Sequence, residues 1–267
     1  MARRRGQGGV VKFWSIYEKF RKNSLNRRNL TIRVRFCSMG EMITFSRASG
    51  GPAHGYLAVP ASGTGPGVVV IQEWWGLIDQ IKSVCDRLAD RGFVALAPDL
   101  YDGRVVPLEE PDEAAKTMMA LQLSDAAADL SGAVDVLLDR STSNQVGVLG
   151  FCMGGGLALV LGALRPDAVA AVVPCYGVHP WPEGHPDYAN YSSATQIHSA
   201  GLDDFFTPDA ASALKATLEG RQVEVELFVY PDSQHAFFND DRPDVFDAKA
   251  AGLLWERSVV FLHQHVG

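Results

Sequence analysis

The sequence predicts an α/β protein in which helices cover both faces of a mostly parallel sheet. Continuous apolar runs such as Gly67–Gln72 are typical of strands that are buried on both faces. These runs alternate along the chain with segments such as Asp79–Arg91, in which apolar residues recur at helical spacing. Strands that alternate with helices in this way form parallel sheets, because each helix returns the chain to the same end of the sheet. The chain has 267 residues, 47% of them hydrophobic, which is enough to bury the core of one such domain.

The strands are predicted from short apolar or alternating runs between turn residues. Ile43–Arg47 and Gly55–Val59 flank a turn that contains Gly and Pro, so they predict an opening hairpin. After Gly67–Gln72, further buried strands are predicted at Phe93–Ala97, which Pro98 ends, Gln145–Leu149, Val169–Pro174 and Ser193–Ser199. The last strand is predicted at Glu224–Tyr230, where apolar and polar residues alternate.

The helices are predicted where apolar residues recur every three or four positions. In Asp79–Arg91 the apolar side chains of Ile81, Val84, Cys85 and Leu88 share one face. The other predicted helices are Glu110–Leu121, Asp125–Asp139, one that contains Leu157–Leu161, Pro208–Glu219 and Val245–His265. No repeat or low-complexity linker interrupts this series, so residues 39–267 are predicted to form a single domain.

Charge is distributed unevenly along the chain. Residues 1–36 hold 11 of the 24 Lys and Arg residues and one acid, whereas the remainder holds 13 basic and 30 acidic residues. A body with a net charge of −17 is a poor partner for nucleic acid. The basic segment has no apolar stretch of secretory type, and nothing in the chain is long enough to span a membrane. Residues 1–38 are interpreted as a disordered extension, or as sequence upstream of a true start at Met39 or Met42. An organelle transit peptide is the alternative.

The four cysteines show no paired spacing and no C-x-x-C motif. A disulfide framework or a zinc site is therefore not expected, and a reducing cytoplasm is the simpler location. The protein is expected to be a monomer or a small homo-oligomer, without a membrane or nucleic-acid partner.

The segment Gly150–Gly155 carries the strongest functional signal. It lies between an apolar strand and an apolar helix, and it reads G-F-C-M-G-G. Strand, sharp turn and helix around G-x-C-x-G form the nucleophile elbow of the α/β-hydrolase fold, with Cys152 where serine is usual. The glycines leave room for a strained turn. The elbow also places the sulfur at a helix N-terminus, where the helix dipole favours a thiolate.

A cysteine nucleophile needs a base and an acid, and both have candidates in the order that this fold uses. His235 follows the last predicted strand, so it is the candidate base. In the segment Gly201–Pro208 the pattern G-x-x-D-x-x-x-P selects Asp204 as the acid. Asp203 remains the alternative, because predicted element boundaries can slip by one residue.

An oxyanion formed at the carbonyl needs two hydrogen-bond donors. The N–H of Met153, which follows the nucleophile, is one candidate. The N–H of Trp74, in the loop after the Gly67–Gln72 strand, is the other.

With these residues placed, the chain resembles the dienelactone hydrolases (carboxymethylenebutenolidases). The resemblance rests on Gln72–Gly76 with Asp79–Ile81, on Ala95–Tyr101, on the elbow, and on the segment from Tyr230 to Phe237. It implies a triad of Cys152, Asp204 and His235, and it covers nearly all of residues 40–267. It also implies that Glu73 contacts the resting thiol and moves when substrate binds.

The resemblance leaves the substrate pocket less well defined. Family members that open dienelactones hold the substrate carboxylate with two arginines, and Arg104 matches the first. The second lies four residues after the histidine, where this chain has Asn239, while Arg242 comes three positions later. An amide does not replace a bidentate arginine, so a more neutral lactone or ester is equally plausible. Aromatic residues could line an apolar pocket, although each also suits an ordinary core: Trp74, Trp75, Tyr101, Tyr176 and Phe237.

The resemblance therefore implies hydrolysis of a small-molecule lactone or ester through a thioester on Cys152. This reaction is expected to need neither a metal nor an organic cofactor. A general carboxylesterase or thioesterase is the alternative within hydrolases. A binding protein without catalytic activity is the alternative outside them.

Overall fold

The computed structural model describes residues 40–267, so the predicted N-terminal extension lies outside the described residues. These residues contain eight strands that form one sheet. The strands are β1 (Glu41–Ser46), β2 (Pro52–Ala58), β3 (Gly67–Ile71), β4 (Val94–Pro98), β5 (Val146–Phe151), β6 (Val169–Cys175), β7 (Ala194–Leu202) and β8 (Val225–Gln234). Their order in the sheet is β1-β2-β4-β3-β5-β6-β7-β8.

The first two strands run antiparallel to their neighbours, and the pairs from β4 to β8 are all parallel. Strands β3, β4 and β5 are buried along their whole length, as their uninterrupted apolar sequences predict. The predicted α/β-hydrolase fold, a mostly parallel sheet with a hairpin at one edge, is confirmed.

Six α-helices lie within the described residues: α1 (Asp79–Asp90), α2 (Pro111–Met119), α3 (Leu123–Arg140), α4 (Met153–Leu164), α5 (Pro208–Glu219) and α6 (Ala248–Val266). Helices α1 and α6 share one face of the sheet, where Arg91 Nη1 and Glu256 Oε1 are 2.9 Å apart. Helices α3 and α4 contact each other and pack on the central strands. None of the helices in residues 40–267 combines the length and the apolar character needed to cross a bilayer.

The two strands at the far edge are longer than the sequence predicts. Pro231 predicts an end for the last strand, but β8 continues through it to Gln234. A proline costs little there because β8 is an edge strand and needs hydrogen bonds on one side only. A Cβ on Gly201 would lie 2.3 Å from the Pro231 carbonyl oxygen, so glycine allows this close approach of β7 and β8. The pair therefore extends to Leu202 and Gln234, one residue short of Asp203 and His235.

Candidate active site

Cys152 stands in the sharp turn between β5 and α4, as the elbow motif predicts. Its φ is +53° and its ψ is −118°, a conformation that costs a non-glycine residue free energy. A Cβ on Gly150 would lie 2.1 Å from the Gly154 carbonyl oxygen, and one on Gly154 would lie 2.4 Å from that of Ile71. Both positions therefore require glycine for steric reasons, and the turn holds the cysteine at the carboxyl end of the sheet.

His235 lies directly after β8, and its Nδ1 is 2.8 Å from Asp203 Oδ2. Asp203 Oδ1 accepts hydrogen bonds from the N–H groups of Phe205 (2.7 Å) and Phe206 (3.0 Å). Both carboxylate oxygens of Asp203 are thus used, and the carboxylate fixes the orientation of the imidazole.

The sequence-based choice of Asp204 as the partner of the histidine is corrected by this geometry. Because Leu202 pairs with Gln234 across β7 and β8, the next residues, Asp203 and His235, leave the sheet side by side. Asp203 is buried, whereas Asp204 is exposed. A shift of one residue along an extended chain turns the side chain to the other face, which is why Asp204 cannot reach the imidazole.

The Cys152 and His235 side chains line the same cleft. Burial alone would lower the pKa of His235. The charges of Asp203 and of the nearby Cys152 sulfur, with the hydrogen bond to Asp203, nevertheless hold the pKa well above its usual value. The ring of Tyr176 packs edge-on against the imidazole at 5.2 Å between centroids, and that of Phe205 lies at 5.0 Å. The site therefore favours the charged, imidazolium form of His235.

Both residues expected to supply the oxyanion donors lie near Cys152. Met153 is the first residue of α4, where an N–H group has no partner within the helix. Trp74 follows β3, and its side chain lines the cleft together with Cys152. The hydroxyl of Tyr101 donates to Met153 Sδ at 3.4 Å, so this ring also stands beside the elbow.

Glu73 is buried at the end of β3, with 1% of its surface exposed. Its Oε2 accepts a hydrogen bond from Asn239 Nδ2 at 2.8 Å, while Oε1 has no hydrogen-bond partner within the described residues. The Tyr176 hydroxyl lies near this carboxyl and stabilises its charge, although it lacks the geometry of a full hydrogen bond. Burial raises the pKa of Glu73, and Asn239, Arg242, His235 and Tyr176 partly oppose this effect. Contrary to the expectation from the family, Glu73 is bound to an amide and not to the thiol.

The cleft above the sulfur has an empty volume of about 340 Å³. That volume includes open solvent at the mouth of the cleft. Its lining combines the site residues with apolar side chains: Glu73, Trp74, Trp75, Met118, Cys152, Val178, Phe205, His235, Ala236 and Arg242. Tyr176 and Phe237 are fully buried beneath the site and support His235, so the structure gives them a core role in place of the expected pocket role.

The positive charge in the cleft comes from a different arginine than the sequence predicts. Arg104 is exposed and pairs with Glu113, so it does not line the cleft. Asn239 is fully buried and reaches Glu73, so the expected contact of Asn239 with substrate is also not supported. Arg242 is instead the arginine among the lining residues of the cleft. It lines the cleft with 5% of its surface exposed, and its Nη2 is 2.7 Å from Asp244 Oδ2.

Sequence reasoning does not assign a role to Arg242, because it lies seven residues after the histidine and not four. The intervening chain forms successive tight turns, in which the N–H of Asn239 bonds to the Ala236 carbonyl and that of Arg242 to the Asn239 carbonyl. These turns bring Arg242 back over the cleft. Asn239 in place of arginine is the one sequence signal that another residue supplies the charge.

Comparison with known proteins identifies the family of this chain. The sequence matches the model of the dienelactone hydrolase family over residues 53–266. "Protein usf" of Aquifex pyrophilus is 36% identical over 236 residues, which cover 85% of this chain and 100% of that protein. A protein of Aquifex aeolicus, provisionally named carboxymethylenebutenolidase, is 34% identical over 236 residues with the same coverage.

Solved structures show the same fold. A dienelactone hydrolase from Anabaena variabilis has a TM-score of 0.62 at 21% identity, covering 85% of this chain and 98% of that one. A dienelactone hydrolase-like promiscuous phosphotriesterase from metagenomic libraries has a TM-score of 0.71 at 20% identity, covering 86% of this chain and all of the other. The chain therefore belongs to the dienelactone hydrolase family, a family of hydrolases that act on lactone and ester bonds.

Proposed function

We propose that this protein opens small lactones or esters through a thioester formed on Cys152. The observation that supports this most directly is the hydrogen bond of His235 to Asp203, with His235 and Cys152 lining the same cleft. A thiolate is the reactive form of cysteine, and an imidazolium held beside it stabilises that form.

In the first half of the reaction, the Cys152 sulfur attacks the carbonyl carbon and the carbonyl oxygen becomes an oxyanion. The N–H groups of Met153 and Trp74 are the proposed donors to this oxygen. When the tetrahedral intermediate collapses, the bond to the ester oxygen breaks, and the His235 imidazolium gives its proton to that oxygen. In a lactone, the released hydroxyl stays attached to the same molecule as the acyl group.

In the second half, the now neutral His235 takes a proton from water, and the resulting hydroxide attacks the thioester carbon. Collapse of the second intermediate breaks the bond between carbon and sulfur and restores the thiolate. Asp203 holds the imidazole and stabilises its charged form throughout.

The lining of the cleft supports a small substrate with an apolar body. Trp74, Trp75 and Phe205 supply flat apolar surface, while Arg242 brings one positive charge that Asp244 partly balances. An ester or lactone that carries at most one carboxylate fits this charge pattern.

The experiment for the mechanism combines turnover with trapping of the intermediate. Wild-type protein and the Cys152→Ala variant would be incubated with an activated aryl ester and with a dienelactone, and an acid quench followed by mass spectrometry would detect acylated Cys152. We expect the variant to lose at least about 10³-fold in kcat, as for the loss of a nucleophile in other triads. Equal hydrolysis by both proteins, or no acyl adduct with any substrate, would contradict the proposal and favour a binding role.

The role of Arg242 can be tested with a matched pair of arginines. We expect Arg242→Gln to reduce kcat/KM for an ester bearing a carboxylate at least about tenfold more than for its neutral analogue, which corresponds to roughly 1.4 kcal/mol. Arg104→Gln should leave this ratio unchanged, because Arg104 does not line the cleft. If the two variants behave alike, Arg242 does not bind substrate charge.

A further inference from the structure

We propose that Asp247 is a positioning residue that holds the turn carrying His235 from both sides. This inference rests on the proposed role of His235 in proton transfer, and it goes beyond that role by naming what fixes the backbone of the base. Asp203 orients the imidazole ring, whereas Asp247 fixes the chain from which the ring projects.

The turn after His235 contains a strained backbone. Ala236 has a φ of +65°, in the left-handed region that residues other than glycine seldom adopt. Such a conformation costs free energy and persists only where the surrounding contacts enforce it. Because a change of φ at Ala236 would rotate the chain next to His235, the position of the base depends on those contacts.

One of the contacts lies before the histidine. Ser233 is buried, and its hydroxyl donates to Asp247 Oδ2 at 2.9 Å. The other oxygen of the same carboxylate, Oδ1, accepts hydrogen bonds from the N–H groups of Lys249 (3.1 Å) and Ala250 (3.0 Å). Asp247 therefore caps the N-terminus of α6, and the segment before His235 is attached to the end of this helix.

The second contact lies after the histidine. The backbone N–H of Asp247 donates to the Phe237 carbonyl at 3.0 Å. Phe237 is fully buried, and its ring packs against that of Tyr176 at 5.4 Å between centroids. Tyr176 in turn packs against the imidazole at 5.2 Å. The turn that contains His235 is thus held on both sides by one residue at the start of α6.

These contacts bear on turnover because a base acts only within hydrogen-bond reach of the proton that it takes or gives. A displacement of about 1 Å can lower a rate on the order of 10²-fold. Loss of the Ser233 contact frees one side of the turn and lets Ala236 relax. The imidazole of His235 then spends less time where it can reach the ester oxygen and the attacking water.

The test compares Ser233→Ala with Ser193→Ala. The first removes the contact with Asp247 but keeps the cap of α6. Ser193 is a matched control, since it is also buried, and its hydroxyl donates to the Val169 carbonyl at 2.7 Å without lining the cleft. We expect Ser233→Ala to lower kcat for an activated aryl ester at least about tenfold, because the base is displaced in every turnover. Ser193→Ala should stay within about twofold of wild type, as for a change remote from the site.

A second substitution tests whether the lost contact acts through the strained turn. Glycine adopts a positive φ without the penalty of a Cβ, so Ala236→Gly keeps the turn in place with less help from Asp247. When Ser233→Ala is introduced into the Ala236→Gly protein, we expect it to lower kcat by less than about threefold, which a double-mutant cycle measures. A serine with a purely structural role would cost the same in both backgrounds.

The third readout needs no turnover. The proton between His235 Nδ1 and Asp203 Oδ2 gives a downfield ¹H NMR resonance, which is assigned by its absence in Asp203→Ala. We expect this proton to exchange with solvent at least about fivefold faster in Ser233→Ala than in wild type, since local opening of the turn exposes it. This result does not depend on Cys152, so a failure of the positioning role differs from a failure of the proposed mechanism.

The proposal is overturned if Ser233→Ala keeps the wild-type kcat, if its effect is equally large in the Ala236→Gly protein, or if proton exchange is unchanged. Asp247→Ser removes the same contact from the other side, because its single oxygen is used by the cap of α6. It should give the same three results, so the role can be decided even if Ser233→Ala fails to fold.

Discussion

At the scale of single residues, the site depends on which of two adjacent carboxylates reaches the histidine. The sequence identifies the segment that contains Asp203 and Asp204, since an acid must follow the strand before the last. It cannot choose between them, because the choice depends on the register of β7 against β8 and on a contact between Gly201 and Pro231. Both are non-local, and a one-residue difference decides which side chain is buried.

The two aspartates therefore form a matched pair for mutation. We expect Asp203→Ala to lower kcat by about 10²–10⁴-fold, because the imidazole loses both its orientation and the charge that keeps it protonated. Asp204→Ala should stay within about twofold of wild type, since its side chain is exposed. Steady-state kinetics with an activated ester would measure both, and a larger loss in Asp204→Ala would return the acid role to that residue.

At the scale of secondary-structure elements, the elbow can be predicted from sequence because all of its determinants are local. Strand, turn and helix follow one another within Val146–Leu164, and the glycines at fixed spacing show where the backbone is crowded. The sequence predicts strands β7 and β8 that are shorter than the observed ones. A proline such as Pro231 usually ends a strand, and nothing in the local sequence shows that β8 lies at the edge of the sheet. Elements whose bounds depend on their own residues can thus be inferred from sequence. Strand ends that depend on pairing with a neighbouring strand cannot.

This crowding predicts opposite effects for two Gly→Ala substitutions. In Gly150→Ala the new methyl group would meet the backbone of Gly154 at 2.1 Å, and backbone cannot move aside cheaply. We expect a loss of about 1–3 kcal/mol or more in the free energy of unfolding, as for other overpacked sites. Gly252→Ala, within α6 and with nothing inside 4 Å, should instead add about 0.5–1 kcal/mol.

Urea denaturation monitored by circular dichroism would measure both free energies. Gly150→Ala with wild-type stability would show that the turn can relax, and it would remove the steric argument for the elbow.

At the scale of the whole molecule, the parallel sheet explains how residues far apart in sequence form one site. Glu73, Cys152, Asp203 and His235 each follow a different strand of the parallel part, and parallel strands present their carboxyl ends at one edge. The position of the cleft is therefore a consequence of the strand order. Cys152, Asp203 and His235 occur in this order along the chain because they follow β5, β7 and β8. The same arrangement buries Glu73 among apolar residues, so that one acidic group of the site affects the stability of the entire fold.

The effect of Glu73 on stability depends on pH. Burial raises the pKa of Glu73 in the folded protein above the value of about 4.5 that applies when the chain is unfolded. Between the two pKa values the folded state holds a proton that the unfolded state has released, so stability falls as pH rises through this window. Glu73→Gln cannot ionise, and its carbonyl can still accept the hydrogen bond from Asn239. We therefore expect the Tm of the variant to match wild type below about pH 4.5, to exceed it increasingly as pH rises toward the raised pKa of folded Glu73, and to keep a constant excess above that pKa. A gain of about 1 kcal/mol would appear as roughly 2–4 °C in a domain of this size.

Calorimetry at half-unit pH steps would measure this difference, and Glu109→Gln, at an exposed position, controls for the simple loss of a carboxylate. The control should follow wild type at every pH, because its carboxylate is hydrated in both states. A constant difference between Glu73→Gln and wild type from pH 4.5 to 8 would contradict the expected sign, since only proton release from a buried carboxyl makes the difference grow with pH. A growing difference would mean that the protein keeps a destabilising carboxylate in the cleft that Cys152 lines. That is the behaviour expected when a residue serves the site at the expense of the fold.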